Sequence, residues 1–219
     1  AIDRVARTVR VRELSTGREY VESYDKLILA PGAAPLTPPI PGIDLPGIFT
    51  LRNLQDVDRI KSVVTSGIKQ AVVVGAGFIG LELVENLVDL GISTTLVELQ
   101  QQVLPPLDQE MTTPIVEKLR AKGVNLVLGE SADGFEKSAD GIVVRLKSGK
   151  TLPAQIVILG IGVRPENRLA TEAGLELGVR GAIRVNGSLQ TSDPDIYAVG
   201  DAIEIQDFVL EAPTMIPLA

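Results

Sequence analysis

The sequence predicts an α/β fold, and three observations predict it. A β-branched run, Ala71-Val72-Val73-Val74, passes through Gly75-Ala76-Gly77-Phe78-Ile79-Gly80 into a helical pattern, the Rossmann-like succession of strand, glycine turn and helix. One order of segments occurs twice: alternating strand, Ser/Thr-Gly turn, second strand, aliphatic strand, Gly, then Pro. It runs from Val9 to Pro35 and again from Val143 to Pro165. Between the copies, five prolines fall in the twelve residues from Pro35 to Pro46, a density that excludes helix and central strand and leaves an extended connector between domains.

The elements follow in order. Val9 and Val11 alternate with Arg10 and Arg12, and Ser15-Thr16-Gly17 turns the chain toward Tyr20, which predicts a β-hairpin. Leu27 to Ala30 predicts a strand buried on both faces. Past the prolines, Leu54, Val57, Ile60, Val63 and Val64 recur at helical spacing. The helix after the glycine turn is expected to place Leu83, Val84, Leu87, Val88 and Leu90 inward and to end at Gly91, and Thr94 to Val97 forms the next strand before Glu98. A third helix is expected over Thr112 to Lys122 with Pro114 in its first turn, then a parallel strand over Val124 to Leu128. Gly141 to Leu146, the turn Lys147 to Lys150 and Thr151-Leu152 form a meander feeding the aliphatic strand Ile156 to Leu159.

The composition removes several chemistries. Among 219 residues there is no His and no Cys, which excludes a Ser-His-Asp triad, a thiolate nucleophile, a dithiol couple within the chain and the usual zinc sites. No metal is expected, and catalysis must draw on a cofactor or a partner. A formal net charge of −7 opposes binding to nucleic acid, which needs clustered cations at the phosphates. The most apolar stretches, residues 71–81 and 156–163, fall well short of the ~20 residues a bilayer span requires, so no membrane association is expected. Ala1-Ile2-Asp3-Arg4 lacks the form of a secretory leader, and a cytoplasmic location is the expectation.

The glycines carry the chemistry. Gly75 permits the tight turn, Gly77 lets the backbone approach a pyrophosphate without a Cβ, and Gly80 lets the helix pack on the strand. Unpaired N–H groups of the first helical turn, Phe78 and Ile79 among them, then face the phosphate charge together with the helix dipole. Glu98 follows Gly80 by eighteen residues at the end of the next strand, where a carboxylate accepts the hydroxyls of an adenosine ribose; the alternative is a solvated Glu at a strand end. Its charge would repel a 2′-phosphate, and Leu99, Gln100, Gln101 and Gln102 supply no cation, so NAD(H) is favoured over NADP(H).

Three segments in this order, Val73 to Glu82, Gly160-Ile161-Gly162-Val163-Arg164-Pro165 and Thr191 to Ala202, resemble the FAD-dependent pyridine nucleotide-disulfide oxidoreductases, within them the branch of coenzyme A-disulfide reductases, NADH oxidases and NADH peroxidases. The resemblance implies an NAD-binding domain, residues 46–168, inserted in a partial FAD-binding domain made of residues 1–45 and 169–219. It implies that Ala30-Pro31-Gly32 and Gly200-Asp201 lie at the FAD, that Glu82 lies near nicotinamide and flavin, and that Gly160, Gly162 and Pro165 close over the nicotinamide. A solvated charge is the plain alternative for Glu82, and a turn cap for Asp201. The family commonly has Asn after the Pro, where this chain has Glu166 and then Asn167. By the same resemblance the chain is expected to be truncated at both ends, the first glycine motif and the redox cysteine preceding Ala1 and the dimerisation domain following Ala219. The whole protein is then expected to be a homodimeric flavoenzyme passing hydride from NADH to FAD and on to a disulfide, a sulfenate or oxygen. The fragment is expected to bind NAD(H), to hold an incomplete FAD site and to lack turnover. The competing reading is a non-catalytic NAD(H)-binding module or sensor, which has no need of Gly200-Asp201.

Overall fold

The structure, a computed structural model, describes residues 1–215. It consists of two compact units, residues 35–162 and, separately, residues 1–34 together with those from 163 onward.

The 35–162 unit is built on a five-stranded parallel sheet, in the order Ile48–Thr50, Ile156–Leu159, Gln70–Val74, Ser93–Glu98, Asn125–Leu128. Its central strands are β-branched and aliphatic because both faces are covered: Val72, Val73, Ile156, Val157 and Ile158 have no exposed surface. Alternation along each strand sends neighbours to opposite cores. Val73, Leu96, Ile156 and Ile158 meet Ile60, Val84 and Leu87 of the helices α1 (Leu54–Val64) and α2 (Phe78–Asp89), with Ile115 and Leu119 of α3 (Gln109–Ala121) packed alongside. Val72, Val74, Val97, Val157 and Leu159 meet Phe135, Ile142, Val144 and Leu146 of an antiparallel meander, Ala132–Ser138, Gly141–Leu146 and Thr151–Ala154. Helices, parallel sheet and meander thus form three layers.

Several expectations are corrected. The meander has a strand, Ala132–Ser138, that the pattern did not reveal: it carries one large apolar residue, Phe135, and a register shift between Ala132 and Gly134. Helix α3 starts at Gln109, so Pro114 lies inside it and not in its first turn; the hydroxyls of Thr112 and Thr113 donate to the Gln109 carbonyl at 3.0 and 3.2 Å. Leu54 and Val57 are exposed, because α1 lies over the edge strand Ile48–Thr50 and only Ile60, Val63 and Val64 reach the core. Leu90 is exposed because it caps α2 and has left the helical path; Gly91, at φ +74°, ends the helix as expected. The proline segment is not the extended connector expected: residues 41–47 fold into successive turns, with the Ile43 and Leu45 N–H groups donating to the Ile40 and Gly42 carbonyls, and it belongs to this unit, since Ile40, Ile43 and Leu45 pack on the meander side of the core.

In the second unit Ile2–Asp3, Thr8–Arg12 and Glu19–Ser23 form an antiparallel sheet, with Gly17 at φ +74° in the hairpin turn. Leu27–Leu29 runs parallel to Ile196–Ala198, and Leu29, Ile196 and Ala198 enter a core with Ala170, Ile183, Ala202 and Ile203. The prediction that Leu27 to Ala30 is buried on both faces fails here. Ile28 is 65% exposed, because this core covers only the face that carries Leu27 and Leu29. Ion pairs fasten the hairpin to the segment before Ile196: Arg4 to Asp193 at 2.7 Å, Lys26 to Asp195 at 2.6 Å, and Arg7 to Asp195. The chain passes from one unit to the other after residues 34 and 162, not after 45 and 168. The expected connection beyond Ala212 lies partly outside the described residues.

Candidate functional site

The predicted residues of the 35–162 unit gather at the carboxyl edge of the parallel sheet, where open α/β sheets receive ligands. Gly75 follows the strand Gln70–Val74, Glu98 ends Ser93–Glu98 and Gly160 follows Ile156–Leu159. The three glycines of the turn do different work. Gly75 stands at φ +103°, and a Cβ there would lie 2.3 Å from the Gly160 carbonyl oxygen. A Cβ on Gly80 would lie 1.9 Å from the Gly75 carbonyl oxygen. Gly160 completes this contact: its own Cβ would stand 3.4 Å from Gly80 Cα, and its N–H donates to Val74 at 2.7 Å. Gly160 thus lies against the glycine turn at van der Waals distance.

Gly77 is different. It is the N-cap of α2 with ordinary φ, and a Cβ there would meet nothing within 4 Å. Nothing inside the fold requires a glycine at this position. Helix α2 has neither a side-chain cap nor an acidic residue in its first turn, whereas α1 is closed by a reciprocal box between Asn53 and Asp56. The N–H groups at the start of α2 and the open space before Gly77 fit a diphosphate. Phe78 at the first helical position is 55% exposed, Ile79 half-buried, and Glu82 exposed on the next turn.

Glu98 is buried, which overturns its reading as a solvated strand-end charge. Its carboxylate accepts the Ala76 N–H at 2.6 Å and the Gln100 N–H at 2.9 Å. The sequence reading missed Leu104, whose N–H donates to the Ala76 carbonyl at 2.9 Å. Leu104 is buried with φ +46° and precedes Pro105, a conformation against both its chirality and its neighbour, so no local signal could have revealed it.

In the other unit, Ala30-Pro31-Gly32 and Gly200-Asp201 come side by side at the carboxyl ends of Leu27–Leu29 and Ile196–Ala198, linked by the Val199 N–H donating to Leu29 at 3.0 Å. Gly32 and Gly200 have φ of +69° and +75°, and a Cβ on Gly200 would meet open space. Gly162 is exposed at φ +110° in the 35–162 unit, while Pro165 is buried in the Val163–Pro165 strand of the other. Asn167, one place later than the family pattern, donates to the Gly181 carbonyl at 2.6 Å and so has a structural task. Among the described residues no helix is long and apolar enough to cross a membrane.

Fold and site together define a Rossmann-type α/β protein with a glycine turn at its sheet edge. The family model described as pyridine nucleotide-disulphide oxidoreductase matches residues 1–216, and the chain belongs to that family. It is 40% identical over 206 residues to an NADH oxidase of Methanocaldococcus jannaschii, a match covering 92% of this chain and 45% of that protein. It superposes on the reduced CoADR-RHD of Bacillus anthracis with a TM-score of 0.95 at 50% identity, covering 99% of this chain and 39% of the other. The water-forming NADH oxidase of Lactobacillus brevis, solved bound to NADH, gives a TM-score of 0.94 at 32% identity, with 100% and 48% covered. The chain spans about half the length of the curated relatives it matches.

Proposed function

We propose that this chain binds NAD(H) along Gly75 to Gly80 and that the whole protein is a flavoprotein oxidoreductase, carrying hydride from NADH to FAD and on to a disulfide, a sulfenate or oxygen. The observation that carries the reading is Gly77, a glycine with no steric reason inside the fold, set before an uncapped helix start. In this reading the N–H groups at Phe78, Ile79 and Gly80 hold the diphosphate and the remaining lone pairs of Glu98 receive the ribose hydroxyls. Gly75 and Gly160 keep the turn and sheet edge in register beneath them. Gly160, Gly162 and Pro165 border the nicotinamide, and Glu82 faces nicotinamide and flavin. Ala30, Pro31, Gly32, Gly200 and Asp201 receive the FAD, whose full site requires further chain. The bound nicotinamide and flavin supply the hydride chemistry; the residues of this chain bind and orient.

NADH is the preferred donor, because a 2′-phosphate would meet the Glu98 carboxylate with no cation among Leu99 to Gln102. The names of the relatives, NADH oxidases of Methanocaldococcus jannaschii and Lactobacillus brevis and coenzyme A disulfide reductases of Staphylococcus aureus, support the enzyme; nothing among them supports a non-catalytic sensor. The reading includes a homodimer in the cytoplasm as the assembled form. Calorimetry of NADH into the 219-residue chain tests it. Binding is expected, and Gly77→Val should weaken it roughly tenfold or more, about 1.4 kcal/mol, while lowering stability by no more than the ~1 kcal/mol that a poor N-cap residue costs. A chain that ignores NADH overturns the reading.

A further inference from the structure

We propose that Glu98 is a positioning residue for the glycine turn as well as a partner for the ribose, and that with Leu104 it latches the turn from two sides. The inference rests on the reading of Gly75 to Gly80 as the diphosphate site. Three observations carry it. The Ala76 N–H, inside the glycine turn, is buried and donates to Glu98 Oε2 at 2.6 Å, while Oε1 of the same carboxylate takes the Gln100 N–H at 2.9 Å. The Ala76 carbonyl, on the other side of the same residue, accepts from Leu104 N–H at 2.9 Å. Leu104 is buried beside the fully buried Val103 and is kept at φ +46° before a proline, a strained conformation that surrounding packing must hold in place.

The geometry has a direct effect on the site. The peptide between Ala76 and Gly77 is planar and trans, so fixing the Ala76 carbonyl on Leu104 fixes the Gly77 N–H in the opposite direction. The peptide between Gly75 and Ala76 is fixed in the same way through Glu98. Both peptides before the helix are therefore oriented ahead of binding, which spares the nucleotide the entropic cost of ordering them. Segment 99–105 acts as a strap anchored at Gln100 and Leu104. A consequence separates this from a carboxylate that serves only the sugar. Removing Glu98 to admit a 2′-phosphate also loosens the turn that holds the diphosphate, so both nucleotides lose affinity.

The test uses a probe without the sugar contact, 2′,3′-dideoxy-ADP, titrated alongside NADH into the 219-residue chain and its Glu98→Ala and Glu98→Gln variants. Hydrogen exchange is read at the Ala76 and Val73 amides. Glu98→Ala is expected to weaken dideoxy-ADP about tenfold, the scale of one lost charge-assisted hydrogen bond. It should also speed exchange at Ala76 about tenfold while Val73, deep in the sheet, stays protected. Glu98→Gln has one acceptor oxygen in place of two and should fall between, guarding against a variant that merely fails to fold. Unchanged dideoxy-ADP affinity with weakened NADH would mean that Glu98 meets only the sugar and overturns the latch. Unchanged Ala76 exchange overturns it independently. Should the wild-type chain bind neither nucleotide, the NAD(H) reading falls, and the exchange measurement alone decides whether the turn is latched.

Discussion

Gly77 and Gly80 belong to one motif yet obey different demands, the first set by what lies outside the fold and the second by what lies inside it. A Cβ at position 80 would press on the Gly75 carbonyl, and backbone cannot swing away as a side-chain tip can. Gly80→Ala is therefore expected to shift α2 and cost about 1–3 kcal/mol of stability, read as a lower urea midpoint, with NADH affinity falling in step. The spacing of these glycines and of Glu98 was legible because the turn is local. The burial of Glu98 and the part played by Leu104 were not. Each depends on a segment that returns to the turn after a full strand, and Leu104 adopts a backbone conformation that a leucine before proline disfavours.

At the level of elements, patterns were readable where a face is fully covered and misled where it is not. The aliphatic strand Ile156–Leu159 met its expectation, while Ile28 did not, since the core covers one face only of Leu27–Leu29. Strand Ala132–Ser138 escaped notice because Phe135 is its one large apolar residue, with only the small Ala132 beside it on the core. The hairpin of the second unit is fastened by charge. Arg4, donating to Asp193, holds that carboxyl below its ordinary value of 3.8, and the backbone N–H of Asp195 acts in the same sense. A carboxyl with a depressed folded value stabilises the fold above the unfolded carboxylate range and loses that contribution as pH falls through it. Arg4→Ala is thus expected to lower stability by about 1 kcal/mol or less at pH 7, since the pair is partly open to solvent. The gap between wild type and variant should narrow below about pH 4 as both forms protonate, as urea midpoints at pH 7 and pH 3 would show.

On the scale of the whole molecule, the repeated order of segments was visible from the turns and aliphatic runs alone. The structure realises both copies with the same succession of strands, Thr8–Arg12 to Ala33–Pro35 and Gly141–Leu146 to Val163–Pro165. The crossing points were less legible, because prolines rule out helix but fix neither the turns of residues 41–47 nor which core their apolar neighbours join. Each unit has its own core, two clusters in residues 35–162 and one in the remainder. Calorimetric unfolding is accordingly expected to resolve into two transitions. NADH at one hundred times its dissociation constant should stabilise one of them by about 2.7 kcal/mol and leave the other in place. A single transition, or an equal shift of both, would contradict independent cores.

The Leu36 N–H donates to the Gly162 carbonyl at 2.9 Å, so the 35–162 unit starts and finishes at neighbouring residues. A stretch whose ends already touch can be lifted out and its gap sealed with a short turn, or spliced whole into a foreign host without a spacer.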